Sequence, residues 1–307
     1  IPREKKSGLE ELDYGQSPSI RCSSMSEKIV VTILGIAQDG GVPHLGCVCD
    51  TCKRFSEEGR QLSPTSLAVR DGDELHLIDV TRDLDRQTRM LDGSARMITD
   101  VWLTHGHLGH VDGLGLFGRE VMASRGIRLH ASESMFHLIQ ETPLWNALLD
   151  QRVFIKKQFD SGHEIQVSKN LSLVPIKVPH RDEWSDTHAF LLRGPNRALL
   201  HLPDHDHWAD TLEQVGYDSI REWISRIKAD VILMDGTFWS SDDLPRQNSI
   251  PHPPILESIN RLGPRREDDP DIRFIHLNHS NRALSQIDVR EDLMGWSIAS
   301  EGDEIVL

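Results

Sequence analysis

Four short apolar runs in this chain lead into residues that bind metals. "VWLT" (101–104) enters "HGHLGH", with His105, His107 and His110; "SLVPIKVPH" ends at His180, "RALLHLPD" at Asp204 and "DIRFIH" at His276. Each run reads as a buried strand, and a polar group at the end of a buried strand is costly without a partner. Taken singly, each is explained by an ordinary hydrogen bond at a strand terminus. Together they point to a shared metal site. The spacing of the first three agrees. His105 and His107 are two apart, so both rings leave an extended segment on the same side. His110 follows three residues later and rejoins that side at a helix start. Gly106 and Gly109 let the backbone turn tightly between them.

The rest of the chain alternates strands and helices. "KIVVTILGI" (28–36) is β-rich and is followed by the Gly-rich "AQDGGVPHLG". "TSLAVRD" and "ELHLIDV" flank a "GD" turn and read as a hairpin. Further strands are expected at "LSLVPIKV", "HAFLLR", "RALLHL", "DVILMDG" and "IRFIHL". Helices are expected at 133–140, 208–226 and 255–261, and through "HVDGLGLFGREVMASRG" up to Gly126. The polar cluster at 240–254 reads as a surface excursion. No linker marks a boundary, so a single α/β domain is expected over 25–307, sheet-rich inside with helices outside. Residues 1–24 are polar, lack an apolar signal-like core, and read as a tail or processed segment.

Charge narrows the partners. The formal net charge is −14, from 34 basic against 48 acidic residues. Such a surface repels a phosphate backbone, which disfavours nucleic acid. A small substrate held at a metal remains compatible, because a bound cation inverts the local field. No apolar run is long enough to span a bilayer. The expected partner is therefore a small molecule, with neither nucleic acid nor membrane; a homodimer stays open.

Cys47, Cys49 and Cys52 form "CVCDTC", and Cys22 is the only other cysteine. An i,i+2 pair makes a poor disulfide, whereas three thiolates suit a tetrahedral Zn²⁺. The fourth ligand is missing locally. Free thiols persist best in a reducing cytosol, the expected location, although a cleaved export signal would leave no trace.

These motifs resemble the metallo-β-lactamase-fold hydrolases. The likeness is strongest to the branch containing pyrroloquinoline quinone biosynthesis protein B and the cyclic phosphodiesterase of phosphonate breakdown. It is carried by "LGIAQDGGVPHLGCVCDTC", "HxHxxH" after a short strand, "VPHRDEWSDTHAF" and "HLNHSN", spanning about Ile29 to Ser280. The resemblance implies an αββα sandwich of two mixed sheets with helices on the outer faces. It implies a first metal at His105, His107 and His180, a second at His110 and His276, and Asp204 bridging them. Asp79 would orient the metal loop. Asp204 and His110 stand as the catalytic candidates. In the branch, three such cysteines and a histidine three residues past the last catalytic one hold a structural zinc, which here means Cys47, Cys49, Cys52 and His279. The chain departs at position 109, where the family carries an aspartate ligand of the second metal. Gly109 implies one firmly held metal and a second that is weaker, completed by water, or absent.

Other polar residues fall near these motifs. His205, Asp206 and His207 flank Asp204; His205 and His207 read as solvated, and Asp206 as a helix cap. Asp206, Asp112 or Asp204 could take over the duty of the missing acid. Arg181 suits an anionic substrate. Asp235 and His252 would wall the pocket. The leading expectation is a metal-dependent hydrolase of a small ester, lactone, amide or phosphodiester, with one or two metals, zinc ahead of manganese or iron, activating a water. A mononuclear iron enzyme of cofactor biosynthesis is the alternative, and a non-catalytic metal-stabilised binding protein the third reading.

Overall fold

The computed structural model describes residues 28–91, 97–245, 247 and 250–307; the expected tail at 1–24, with Cys22, lies outside them. In chain order the strands are β1 (Ile29–Gly35), β2 (Ser66–Asp71), β3 (Glu74–Ile78), β4 (Ile98–Trp102), β5 (Ile127–Ala131), β6 (Phe154–Gln158), β7 (Ile165–Gln166), β8 (Ser172–Val178), β9 (Thr187–Arg193), β10 (Ala198–Leu202), β11 (Val231–Asp235), β12 (Asp271–Ile275), β13 (Ser297–Ile298) and β14 (Glu304–Val306). Among the described residues they form two seven-stranded sheets, in the orders β14-β1-β2-β3-β4-β5-β6 and β13-β12-β11-β10-β9-β8-β7. Both are mixed. The expected hairpin is β2–β3, antiparallel with Leu67 opposite Ile78, and β3 to β6 then run parallel.

One core joins the sheets. It takes Val31 and Val69 from the first, Phe190, Leu200, Ile232 and Phe274 from the second, and Trp208, Trp223 and Ile259 from helices. A second cluster packs Leu77, Val101 and Leu129 against Phe117, Phe136 and Leu148. Each large side chain fully buried here contributes roughly 1.5–3 kcal/mol. The helices are α1 (Asp50–Glu57), α2 (Leu84–Arg89), α3 (Leu108–Val111), α4 (Glu133–Glu141), α5 (Pro143–Asp150), α6 (Trp208–Val215), α7 (Ile220–Ile227) and α8 (Ile255–Leu262). The order is the αββα sandwich that the sequence implies. Among the described residues no helix is long and apolar enough to cross a membrane.

Two helix expectations fail for local reasons. The run from His110 to Gly126 is helical only through α3, then 3-10 over Asp112–Phe117, then turns. Glycines weaken it, and Gly113 packs so closely that a Cβ there would lie 2.2 Å from the Thr81 carbonyl oxygen. The helix expected at 208–226 is two helices. Gly216 stops α6 with φ +77, its N–H meeting the Leu212 and Glu213 carbonyls, and Ser219 starts α7 by accepting from the Glu222 N–H. The segment 240–254 is not wholly a surface excursion, because Gln247 and His252 are buried.

Topology gathers the site. β1, β3 and β4 point the same way, since β1 and β3 are both antiparallel to β2 and β4 is parallel to β3. In the other sheet β8, β10, β11 and β12 share a direction. Their carboxyl ends converge, the usual place for a ligand in open α/β sheets.

Within β10, His201 is fully buried with both ring nitrogens unpartnered, and burial pushes its pKa down to about 3. A ring kept neutral in the fold loses stability as pH falls below its unfolded value of about 6.5, because only the unfolded chain then binds the proton. His201→Leu should therefore flatten the stability–pH curve between roughly pH 6.5 and 4 by about 1.4 kcal/mol per pH unit. Denaturant titrations of both proteins across that range check this; parallel curves would contradict it.

Candidate metal centre

Seven strand ends deliver the side chains. Asp39 follows β1, Asp79 follows β3, His105, His107 and His110 follow β4, His180 follows β8, Asp204 follows β10, Asp235 ends β11 and His276 follows β12. His105, His110, His180, Asp204 and His276 are each no more than 2 % exposed. The structure thus brings together every histidine and the aspartate expected at the two metals.

Hydrogen bonds outside the cluster fix which nitrogen faces inward. The Thr104 hydroxyl donates to Asp79 Oδ2 at 2.8 Å, so it can only accept from His105 Nδ1, 2.9 Å away. The same relay recurs across the site. The Thr237 hydroxyl donates to Asp235 Oδ1 at 2.7 Å and accepts from His276 Nδ1 at 2.8 Å. His110 Nδ1 donates directly to Asp79 Oδ2 at 2.7 Å, and His180 Nδ1 to Asp206 Oδ1 at 3.2 Å. Each Nδ1 is occupied, which leaves Nε2 as the inward lone pair on four rings. His107 differs: its Nδ1 lies 3.0 Å from His105 Nε2. Asp79 and His276 both adopt positive φ, +62 and +61, a conformation of appreciable cost held by these bonds.

Asp204 divides its oxygens. Oδ1 lies 3.6 Å from His180 Nε2, whereas Oδ2 lies 3.0 Å from His110 Nε2 and 3.3 Å from His276 Nε2. Two groups follow, His105–His107–His180 and a set around His110 and His276, with Asp204 between them. Burial would raise the Asp204 pKa, but the charges on His276 and His110 hold it well below the usual carboxylate range. Burial likewise lowers His110 and His276, yet carboxylates led by Asp79 for the former and Asp204 for the latter push both above the ordinary imidazole value. Burial prevails at His105, well down, and at His107, down to about 4. Inward lone pairs facing a carboxylate need positive charge between them. Protons supply it at His110 and His276, and divalent metals, displacing those protons, fit the same place. His180 Nε2 and His276 Nε2, buried without a hydrogen-bond partner, are consistent with that.

One carboxylate escaped the sequence reading. Asp39 Oδ1 lies 3.4 Å from both His110 Nε2 and His276 Nε2, and the three residues form a metal-type group. "AQDGG" reads as a turn, and no local pattern ties it to residues far along the chain. Of the three substitutes weighed for the acid at 109, Asp204 reaches His110 and His276, whereas the other two lie elsewhere. Asp112 pairs with Arg82 at 3.0 Å, and Asp206 is engaged by His180. Asp206 does not cap α6, whose preceding residue, His207, makes no side-chain cap either. His207 is exposed as expected, but His205 is buried, its ring on the Thr211 hydroxyl at 2.8 Å and its pKa pushed down to about 4 by burial. Asp235 Oδ2 accepts from His252 Nδ1 at 2.7 Å, the His252 ring centroid lies 5.0 Å from that of His180, and His252 forms a further metal-type group with His180 and Asp204. Arg181 is exposed at the rim, 3.4 Å from His107.

The cysteines form a second cluster. Cys47, Cys49, Cys52 and His279 place their ligand atoms within 4.8 Å of one another, with His279 Nδ1 3.6 and 3.5 Å from the first two sulfurs. Burial pushes the Cys52 thiol up to about 12, so its thiolate requires a cation beside it.

This fold and these clusters place the chain in a family. The model for the beta-lactamase superfamily domain matches residues 76–267, and the chain belongs to that superfamily. It is 25% identical to coenzyme PQQ synthesis protein B of Bradyrhizobium diazoefficiens, covering 90% of this chain and 99% of the relative. It is 27% identical to the protein of that name from a Methylobacterium species, over 90% and 99% of the two chains. Among solved structures it resembles Zn²⁺-bound PqqB from Methylobacterium extorquens, with a TM-score of 0.71 at 21% identity over 91% of this chain and all of that one. A diphosphatase of the PhnP family matches with a TM-score of 0.59 at 19% identity, over 91% and 97%. These likenesses show the fold.

The threonine relays carry a test. Thr237→Val cuts His276 from Asp235, and metal affinity should fall about 10- to 100-fold, the usual cost of losing such a partner. Thr237→Ser should retain it. Chelator-competition titrations measure both; equal affinity in the valine variant would show that the hydroxyl does not orient the ring.

Proposed function

We propose that the chain is a metal-dependent hydrolase of a small anionic ester, lactone, amide or phosphodiester. The observation that carries this reading is the split of Asp204 between two imidazole groups, beside a cleft reached by His107 and Asp39. The cleft, of ≈ 550 Å³, is lined by His107, Asp39, Arg181, Glu183 and the apolar Leu108, Leu138, Trp145 and Trp184. Metals held by His105, His107, His180 and Asp204, and by His110 and His276, would supply Lewis-acid polarisation and a nucleophile from water at neutral pH. The chain's residues do the rest. Asp79, Asp206 and Asp235 lock the rings, Asp204 fixes the spacing of the two groups, and Arg181 draws in the negative end of the substrate. The tryptophans and leucines accept its apolar part. A cytosolic setting and a chain free of nucleic-acid partners accord with the thiols and the acidic surface.

Zinc at Cys47, Cys49, Cys52 and His279 is the structural part of the proposal. Cys52→Ser should release one zinc per chain and lower the melting temperature, as read by elemental analysis and thermal unfolding. Zinc retained in full would remove this assignment.

Turnover of chromogenic esters, lactones and phosphodiesters, paired with metal analysis, tests the activity. His105→Ala should abolish turnover and reduce bound metal. No turnover on any of them, with metal unchanged in the variant, would sink the hydrolase reading. The similarity to coenzyme PQQ synthesis protein B over most of the chain favours a second one, an enzyme of cofactor biosynthesis; iron in the purified protein with oxygen-dependent turnover would select it in the form of a mononuclear iron enzyme.

A further inference from the structure

Position 109 and Asp39 belong to one design. An ideal Cβ on Gly109 would lie 2.5 Å from Cα, Cβ and Cγ of Asp39, closer than real Cβ atoms come. The space a side chain at 109 would fill is therefore taken by Asp39. Its Oδ1 stands 3.4 Å from His110 Nε2 and from His276 Nε2, the same two atoms that Asp204 Oδ2 approaches at 3.0 and 3.3 Å. Two imidazole lone pairs and two carboxylate oxygens thus converge on one volume.

The backbone holds Asp39 there. The Gln38 N–H donates to the Leu277 carbonyl at 3.0 Å, and the Leu277 N–H donates to the Ile36 carbonyl at 2.7 Å. Asp39 is thereby stitched beside the residue that follows His276. The turn after it needs small residues, since Gly41 has φ +68 and a Cβ on Gly40 would lie 2.0 Å from the His44 ring.

We infer that Asp39, from the loop after β1, is the carboxylate ligand of the second metal, and that Gly109 is the vacancy that admits it. The second site then has His110, His276, Asp39 and the shared Asp204, a full set for a divalent metal. The inference rests on the metal-centre reading proposed above, but not on any substrate. It replaces the expectation that Gly109 leaves the second metal weak or absent.

Three variants test it by metal counting on the purified full chain after dialysis. Asp39→Ala should lose one metal equivalent while keeping the cysteine-bound and His105-group metals. Gly109→Ala removes no ligand, yet should lower occupancy of that same metal, because its methyl group displaces Asp39. The double variant Asp39→Ala/Gly109→Asp should regain the metal by delivering a carboxylate from the other side. Asp39→Asn serves if the alanine variant does not fold, with metal affinity expected to fall at least about tenfold. A merely structural Asp39 would lower the melting temperature and leave the metal count intact, which overturns the inference. So would wild-type protein that holds no more metal than Asp39→Ala. Either result leaves turnover measurements free to support the hydrolase reading, and a wild type without turnover leaves the metal count decisive here.

Discussion

A buried carboxylate facing imidazoles on both sides organises this structure. Asp204, 2 % exposed, would be a costly group in an apolar sandwich without compensating charge. His180 approaches one oxygen, and His110 and His276 the other. Of the rings that meet it, His110 is fixed by Asp79 directly, His276 by Asp235 through the Thr237 hydroxyl, and His180 by Asp206. On four rings it is Nε2 that faces inward, the atom a proton or a metal would occupy. The fold supplies seven strand ends to build the arrangement, and the interior around Asp204 is satisfied when positive charge occupies it.

The two sheets are tied at this point by more than packing. Ala37 bridges to Pro64 and to Leu277, so the loop after β1 joins the segment after β12. Further along both segments, Cys47 and Cys49 meet His279. The ring of His44 lies 4.8 Å from that of His279. One continuous path therefore runs from the cysteine cluster through His279 and Leu277 to His276 and Asp39. A metal at the cysteines would stiffen the path at one end, and the site around His276 lies at the other.

The sequence makes the candidate ligand histidines and Asp204 legible because each follows an apolar run and therefore has a predictable direction and depth. His279 is legible only through resemblance, since spacing alone does not link it to residues 47–52. Asp39 is illegible for a physical reason: it follows its strand by four residues, within a turn whose glycines advertise conformation rather than chemistry. Gly109, read alone, suggests loss, and only the three-dimensional contact turns it into accommodation. His205 looks solvated because polar neighbours surround it in sequence, whereas the start of α6 folds it inward onto Thr211. The two helix errors share a cause, in that apolar periodicity continues through glycines that end or tighten the helix.

Anomalous diffraction across the manganese, iron and zinc edges, from crystals of the protein as purified, addresses the central claim most directly. Two peaks flanking Asp204, roughly 3.5–4 Å apart, are predicted. The first should lie among His105, His107 and His180, and the second among His110, His276 and Asp39. A single peak, or none between the two imidazole groups, would contradict the account.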